Sequence, residues 1–189
     1  MKKIPTLFRR DPEDMKRVLP EVTPGCEWVL AGEGVATRKY DGTCVLIRRD
    51  GLAVHAFARR EVKPGKTPPQ GWVEVDHDEV TGKRVGWEPA AQSGFAKWIE
   101  EAIENVHADG LVLLPGTHEL IGPKVQGNPE QWDMHWLIRH ADAQVVPLAY
   151  PVDFEGLRER FTKGWPTWEG IVWHHPDGRM AKLKVRDFA

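Results

Sequence analysis

Cysteine is scarce. Cys26 and Cys44 are the only two in 189 residues, and they lie 18 positions apart. That number excludes a disulfide scaffold, and that spacing fits no metal or redox motif, so both are expected as reduced thiols in a cytoplasmic protein. An excess of charge of one sign is also lacking. Lys and Arg total 26 against 28 Asp and Glu, a net of -2. No bulk field advertises a polyanion, so any nucleic-acid site must be a local basic cleft. No apolar run approaches 18 residues, so no membrane span is expected. The start, Met1-Lys2-Lys3-Ile4-Pro5-Thr6, reaches Arg9-Arg10-Asp11 without an apolar core, so no secretory leader is expected. Internal repeats and low-complexity tracts are missing as well.

What is present suffices for a packed core. Hydrophobic residues make up 41%, too many for a disordered chain. A length of 189 residues sets the expectation of a single domain, 1–189, with an N-terminal extension over 1–25. Nine tryptophans outnumber the six Phe and two Tyr together, so most must line the core or a cleft.

The pattern of residues predicts mostly strands. A short helix is expected near Pro12–Val18, and strands over 27–30 and 35–38. Thr43–Arg48 and Leu52–Phe57 are β-rich and flank Arg49-Asp50-Gly51, which predicts a hairpin. Residues 64–89 hold four Pro and four Gly together with Trp72 and Trp87, and read as a long ordered surface loop. Phe95, Trp98, Ile99, Ala102, Ile103 and Val106 recur at helical spacing and form a core-facing stripe. Strands are expected over 110–114, 117–121 and 134–139. Asp153 is placed to cap a helix carrying Phe154, Leu157 and Phe161. The end reads as a hairpin, 168–175 and 180–185, around Pro176-Asp177-Gly178-Arg179. Hairpin-joined strands with few helices predict an α+β fold with antiparallel sheets.

Three short stretches concentrate chemistry. The first is Lys39-Tyr40-Asp41-Gly42. Alone it is weak, since roughly one chain in twenty of this length meets Lys-x-Asp-Gly by chance. A plain turn, with Asp41-Gly42 in left-handed geometry, explains it equally well. The second is Glu119-Leu120-Ile121-Gly122, which alone is a strand-end glutamate facing water. The third is Glu169-Gly170-Ile171-Val172, with Lys182-Leu183-Lys184 thirteen residues after Glu169. Period-two alternation puts Lys182 and Lys184 on one face and Ala181, Leu183 and Val185 on the other.

Together, in this order, the stretches resemble motifs I, III, IV and V of the covalent nucleotidyltransferase superfamily of ATP-dependent ligases and mRNA capping enzymes. At finer level the chain is similar to the small RNA ligase 1-like family of ATP-dependent RNA ligases. Arg38 to Cys44, Arg60-Glu61-Val62-Lys63, Glu119 to Lys124 and Gly127-Asn128-Pro129 carry that resemblance, which spans about residues 25–188. It implies an adenylyltransferase domain of antiparallel sheets flanked by helices, with an ATP cleft between the sheets. It implies an enzyme that joins RNA 5′-phosphate and 3′-OH ends through lysyl-AMP, with ATP and Mg²⁺, or Mn²⁺ in its place.

The resemblance assigns roles residue by residue. Lys39 is the AMP acceptor, with Asp41 and Gly42 in its motif. Glu119 contacts the nucleoside sugar. Arg59 or Arg60 steers the phosphate and ribose, and alternation alone does not choose between them. Trp136 either stacks on adenine or is one more core tryptophan. The chemistry supports the scheme. An ordinary lysine near pKa 10.4 is neutral in roughly one molecule in 2,500 at pH 7, so its amine needs cations nearby, which also clamp the α-phosphate. Lys182 and Lys184 suit both tasks. Pyrophosphate leaves with a metal ion, and Glu169 is the first candidate carboxylate to hold it.

Two departures separate subclasses. Many DNA ligases carry an arginine where Cys44 stands. DNA ligases and capping enzymes also continue into an OB-fold domain, whereas this sequence stops five residues after Lys184, so no OB-fold is expected. The rivals are a DNA-ligase or capping-type core that needs a partner domain, and a non-catalytic nucleotide-binding module. RNA ends and ATP are the expected partners, with no membrane and no obligate protein. Lys124, Arg59, Arg60 and Lys163 are candidates for a basic strip along the RNA. The 76–79 run and His174-His175 lack zinc spacing, and His135 and His140 read as surface or strand-end residues.

Overall fold

The computed structural model describes residues 3–148, 152–165 and 167–188. In chain order the elements are β1 (Phe8–Arg10), β2 (Val18–Val22), α1 (Glu27–Leu30), β3 (Val35–Lys39), β4 (Thr43–Asp50), β5 (Ala53–Val62), β6 (Val73–Asp78), β7 (Lys83–Pro89), α2 (Ala96–Ala108), β8 (Gly116–Ile121), β9 (Trp136–Arg139), α3 (Phe154–Glu159), β10 (Gly170–His174) and β11 (Met180–Lys184). Every strand-to-strand ladder is antiparallel, as the hairpin-rich sequence predicts.

The chain forms two compact units where length alone predicted one domain. One unit comprises residues 1–3 and 41–142, the other 4–40 and 143–189. The chain passes from the second to the first at Tyr40-Asp41, inside the Lys-x-Asp-Gly stretch.

In the unit of residues 41–142, six strands run in the order β6-β7-β5-β4-β8-β9. Alternation sends Val45, Ile47, Ala58, Leu120 and Leu137 to one face, where they pack with Ile99, Ala102 and Val106 of α2. His118 pairs with Val45 and joins this buried face, 1% exposed. Burial pushes its pKa down from 6.5 to about 4, although its ring is hydrogen-bonded to the Gly116 carbonyl. Such a histidine is neutral in the fold and takes up a proton on unfolding. Between pH about 6.5 and 4 the unfolded chain therefore holds more protons, and stability falls as pH falls. An offset of about 2.5 pH units amounts to about 3 kcal/mol at the bottom of that window. Urea unfolding across this range should show the slope, and His118→Leu should flatten it. A His118→Leu profile parallel to wild type would remove His118 as the cause.

In the other unit, three strands run β11-β10-β3, beside the small β1-β2 pair. Ala36, Ile171, Trp173, Ala181 and Leu183 point into a core shared with Leu7, Phe8, Trp28, Leu157 and Phe161. Asp153 caps α3 as its sequence position predicts, its side chain accepting the Gly156 N–H at 2.7 Å.

Five expectations are corrected. The described part of the expected 1–25 extension, residues 3–25, is no appendage, because Leu7 and Phe8 are core residues, and the Leu7 N–H donates to the Lys182 carbonyl on the edge of β11 at 2.8 Å. The helix expected over 12–18 is a set of turns between β1 and β2. Residues 27–30 are helical, since Trp28 and Val29 are both buried, which a strand with one face exposed cannot do. The expected loop over 64–89 contains the β6-β7 hairpin. Gly86 there allows Trp72 to lie on the backbone, since a Cβ would meet the Trp72 ring at 2.4 Å. Residues 110–114 form a turn and an extended stretch outside the sheet.

Candidate active site

The unit with β3, β10 and β11 gathers the lysines. In register, Lys39 pairs with Gly170, and Gly170 pairs with Lys184 on its other side. Directly opposed residues share a face, so Lys39 and Lys184 flank a position with no side chain. Only glycine fits there, because a Cβ on Gly170 would lie 2.1 Å from the Leu183 carbonyl oxygen. Glu169, one residue before β10, fills the gap. Its two carboxylate oxygens accept hydrogen bonds from Lys39 Nζ and Lys184 Nζ, one each. Its side chain is only 9% exposed. Burial pushes the Glu169 carboxyl up, but Lys39 and then Lys184 more than offset it and hold the pKa below the ordinary carboxylate range.

Lys182 and Thr37 share that face through their common neighbour Val172. Thr37 Oγ1 lies 3.0 Å from His174 Nε2. Behind Lys184, the buried Asp187 accepts the Lys184 backbone N–H at 2.8 Å and is paired with Arg10 at 2.8 Å. That brace fixes the end of β11 and therefore the root of the Lys184 side chain. Arg38 points the other way, between the rings of Tyr40 and Trp168, at 4.7 and 4.8 Å from their centroids.

The unit of residues 41–142 gathers a second group. Glu119 pairs with Cys44, and Leu46 with both Thr117 and Phe57. Following the alternation along β5 puts Arg59 on the Glu119 face and Arg60 on the face of Ala58. The two arginines thus lie on opposite faces of β5. Arg60 is paired with the buried Glu88 at 3.0 Å. Arg59 Nε is buried with no hydrogen-bond partner, a donor that a bound acceptor would satisfy. Trp136 pairs with Ile121 one step from Glu119, is half-buried against the core, and stacks on Trp132 at 6.1 Å.

Glu119 is 7% exposed, and its Oε2 lies 2.9 Å from His140 Nε2. His140 Nδ1 in turn lies 2.9 Å from Thr117 Oγ1. Gly42 and Asp41 also have definite tasks. Neither has the positive φ expected of a left-handed turn. Gly42 is required by close approach, since a Cβ would lie 2.1 Å from the Leu120 carbonyl oxygen. The Asp41 N–H donates to Glu130 at 2.9 Å.

Lys39, Lys182, Lys184 and Glu169 are thus brought together in one unit, and Glu119 and Arg59 share a face in the other. Of the basic-strip candidates, Arg60 and Lys163 are engaged by Glu88 and Glu159. Sequence reading missed His140, Thr117 and Glu130. Trp136, Ile138 and His140 alternate, which hints at the face of His140, but nothing in the sequence says which strand lies beside it. His135, expected at the surface or at a strand end, immediately precedes β9 and is 3% exposed, stacked on Trp98 at 4.6 Å.

A carboxylate flanked by two lysines, from the strands on either side of β10, suits transfer to or from a phosphate. No family model matches the chain. The chain is 26% identical to the RNA ligase 1 of Rattus norvegicus over 218 aligned positions, covering 79% of this chain and 65% of the relative. It is 32% identical to the RNA ligase 1 of Danio rerio over 130 positions, covering 60% of this chain and 38% of the relative. The matched stretches thus span less than two thirds of either relative. Among solved structures, a lysine-to-alanine mutant of Naegleria gruberi RNA ligase with ATP and Mn matches at TM-score 0.49 and 14% identity, over 96% of this chain and 59% of that one. The same ligase with PPi matches at 0.46 and 13%, over 84% and 52%. Likeness at that level adds no argument to the sequence similarity.

Proposed function

We propose that this chain is the nucleotidyl-transfer core of an ATP-dependent RNA ligase that works through lysyl-AMP. The observation that carries it is the Lys39–Glu169–Lys184 contact across Gly170, among residues whose order resembles motifs I, IV and V of the covalent nucleotidyltransferases. In the first step the deprotonated Lys39 Nζ attacks the α-phosphorus of ATP. A P–N bond forms, the P–O bond to pyrophosphate breaks, and pyrophosphate departs. Glu169, in contact with Lys39 Nζ, is the group in reach of the proton that Lys39 sheds. Lys184 and Lys182 meet the charge that grows on the phosphate oxygens. In the second step AMP passes from Lys39 to an RNA 5′-phosphate, regenerating the amine. In the third, the RNA 3′-OH attacks that phosphate and AMP leaves.

Arg59 is proposed to steer the phosphate and ribose, Glu119 to bind the nucleoside sugar, and Trp136 to stack on adenine. Glu169 is a hard oxygen donor of the kind Mg²⁺ or Mn²⁺ takes, and would hold the ion once the lysines turn to the phosphates. A divalent ion there supplies charge neutralisation for the leaving pyrophosphate. The Asp41 and Gly42 backbones set where Lys39 leaves its strand.

RNA is the proposed substrate because both curated relatives carry that name. Matched RNA and DNA substrates, each with a 5′-phosphate and a 3′-OH, test this over a salt series. RNA should be sealed better, since its 2′-OH offers a contact that DNA lacks. About four neutralised phosphates give a log–log salt slope near -3 on a single strand, and the engagement of Arg60 and Lys163 by acids makes it shallower still. Equal or better sealing of nicked DNA would favour a DNA ligase, and a covalent adduct from GTP in place of ATP would favour a capping-type enzyme.

A further inference from the structure

We infer that Cys44, Glu119 and His140 form a binding site for a zinc-like transition-metal ion. Their donor atoms, one thiol sulfur, one carboxylate oxygen and one imidazole nitrogen, all lie within 4.8 Å of one another. Tetrahedral coordination at bond lengths of 2.0–2.3 Å needs donors about 3.3–3.8 Å apart, so side-chain shifts of about an ångström close the site.

The backbone already does the aligning. Cys44 and Glu119 are directly paired across β4 and β8, which fixes both side chains on one face. His140 follows β9, the next strand of the same sheet. Its ring is held by Thr117, on that face too. A metal-bound histidine normally donates its second N–H to an outer acceptor, which fixes the ring. The Thr117 hydroxyl can accept that bond as readily as it can give one. The Nε2 that now faces Glu119 can therefore turn its lone pair to a metal, with the proton carried on Nδ1 instead.

The donor set selects the ion. A thiolate, an imidazole and a carboxylate suit Zn²⁺ or Co²⁺, whereas Mg²⁺ prefers oxygen donors alone. Three protein ligands leave the fourth position for water or an anionic oxygen, the pattern of open zinc sites. Sulfur also separates this site from the oxygen-only donor proposed at Glu169.

The test is Co²⁺ and Zn²⁺ binding to the full chain, with neither ATP nor RNA present. Co²⁺ should bind one per chain and give a thiolate-to-cobalt charge-transfer band together with visible bands of tetrahedral intensity. Zn²⁺ should displace it. Cys44→Ser should abolish the charge-transfer band, and His140→Ala should weaken Zn²⁺ binding at least 10²-fold in competition with a chromogenic chelator. Cys26→Ala removes the other thiol and should leave band and affinity in place. A band that survives Cys44→Ser, or no saturable binding of either ion by wild type, would overturn the site. Because the readout involves no nucleotide, its failure would leave the ligase reading standing.

Discussion

Lys39→Ala should abolish the covalent nucleotide adduct, a loss limited only by detection. The amine is the nucleophile in the proposed first step, and the variant has none at that place. The substitution also strips one of two cations from a carboxylate that is 9% exposed. Leaving a buried charge short of a partner destabilises. Lys39→Arg separates the two effects. It keeps a cation on Glu169 and removes the amine, so it should fold like wild type and form no stable adduct. Thermal unfolding of both variants beside intact-mass measurement makes the distinction. An adduct of normal yield in either variant would place the nucleophile elsewhere.

Lys184→Ala and Lys182→Ala should each slow adenylylation by about 10²-fold or more, the scale of losing one preorganised charge-stabilising donor. Leu183→Ala should do the opposite. Leu183 is fully buried among Ile171, Trp173 and Leu7. Its truncation should lower stability by roughly 2–5 kcal/mol through the cavity left behind, with the chemistry intact below the new melting temperature. Single-turnover adenylylation and urea unfolding on the same four proteins make the comparison. Selective loss of chemistry in Leu183→Ala, with both lysine variants unaffected, would invert the face assignment of β11.

That assignment was legible in the sequence because alternation along a strand is local. Ala181-Lys182-Leu183-Lys184 names its own faces, and α2 and the Asp153 cap are equally local. The lysines' shared carboxylate was not legible. Glu169 and Lys39 are 130 positions apart, and only the β3-β10 register brings them together. The faces of Arg59 and Arg60 relative to Glu119 need the β4-β5 register for the same reason. The β6-β7 hairpin was misread because its Pro and Gly content signals a loop, while the packing of Trp72 over Gly86 is a tertiary effect. Gly42 was assigned to its position for the wrong cause. An Asp-Gly pair suggests freedom of φ, but the demand comes from the Leu120 carbonyl in β8, the strand paired with β4. The His140–Glu119 contact joins a residue after β9 to one within β8, and no spacing rule encodes it.

Lys39 should accept AMP from ATP. Wild-type protein incubated with ATP and Mg²⁺, measured by intact mass and then by peptide mapping under conditions that preserve phosphoramidates, tests it most directly. A gain of one AMP per chain is expected, located on the peptide that contains Lys39 and released by added pyrophosphate. No mass gain, or a nucleotide located on any residue other than Lys39, would contradict it.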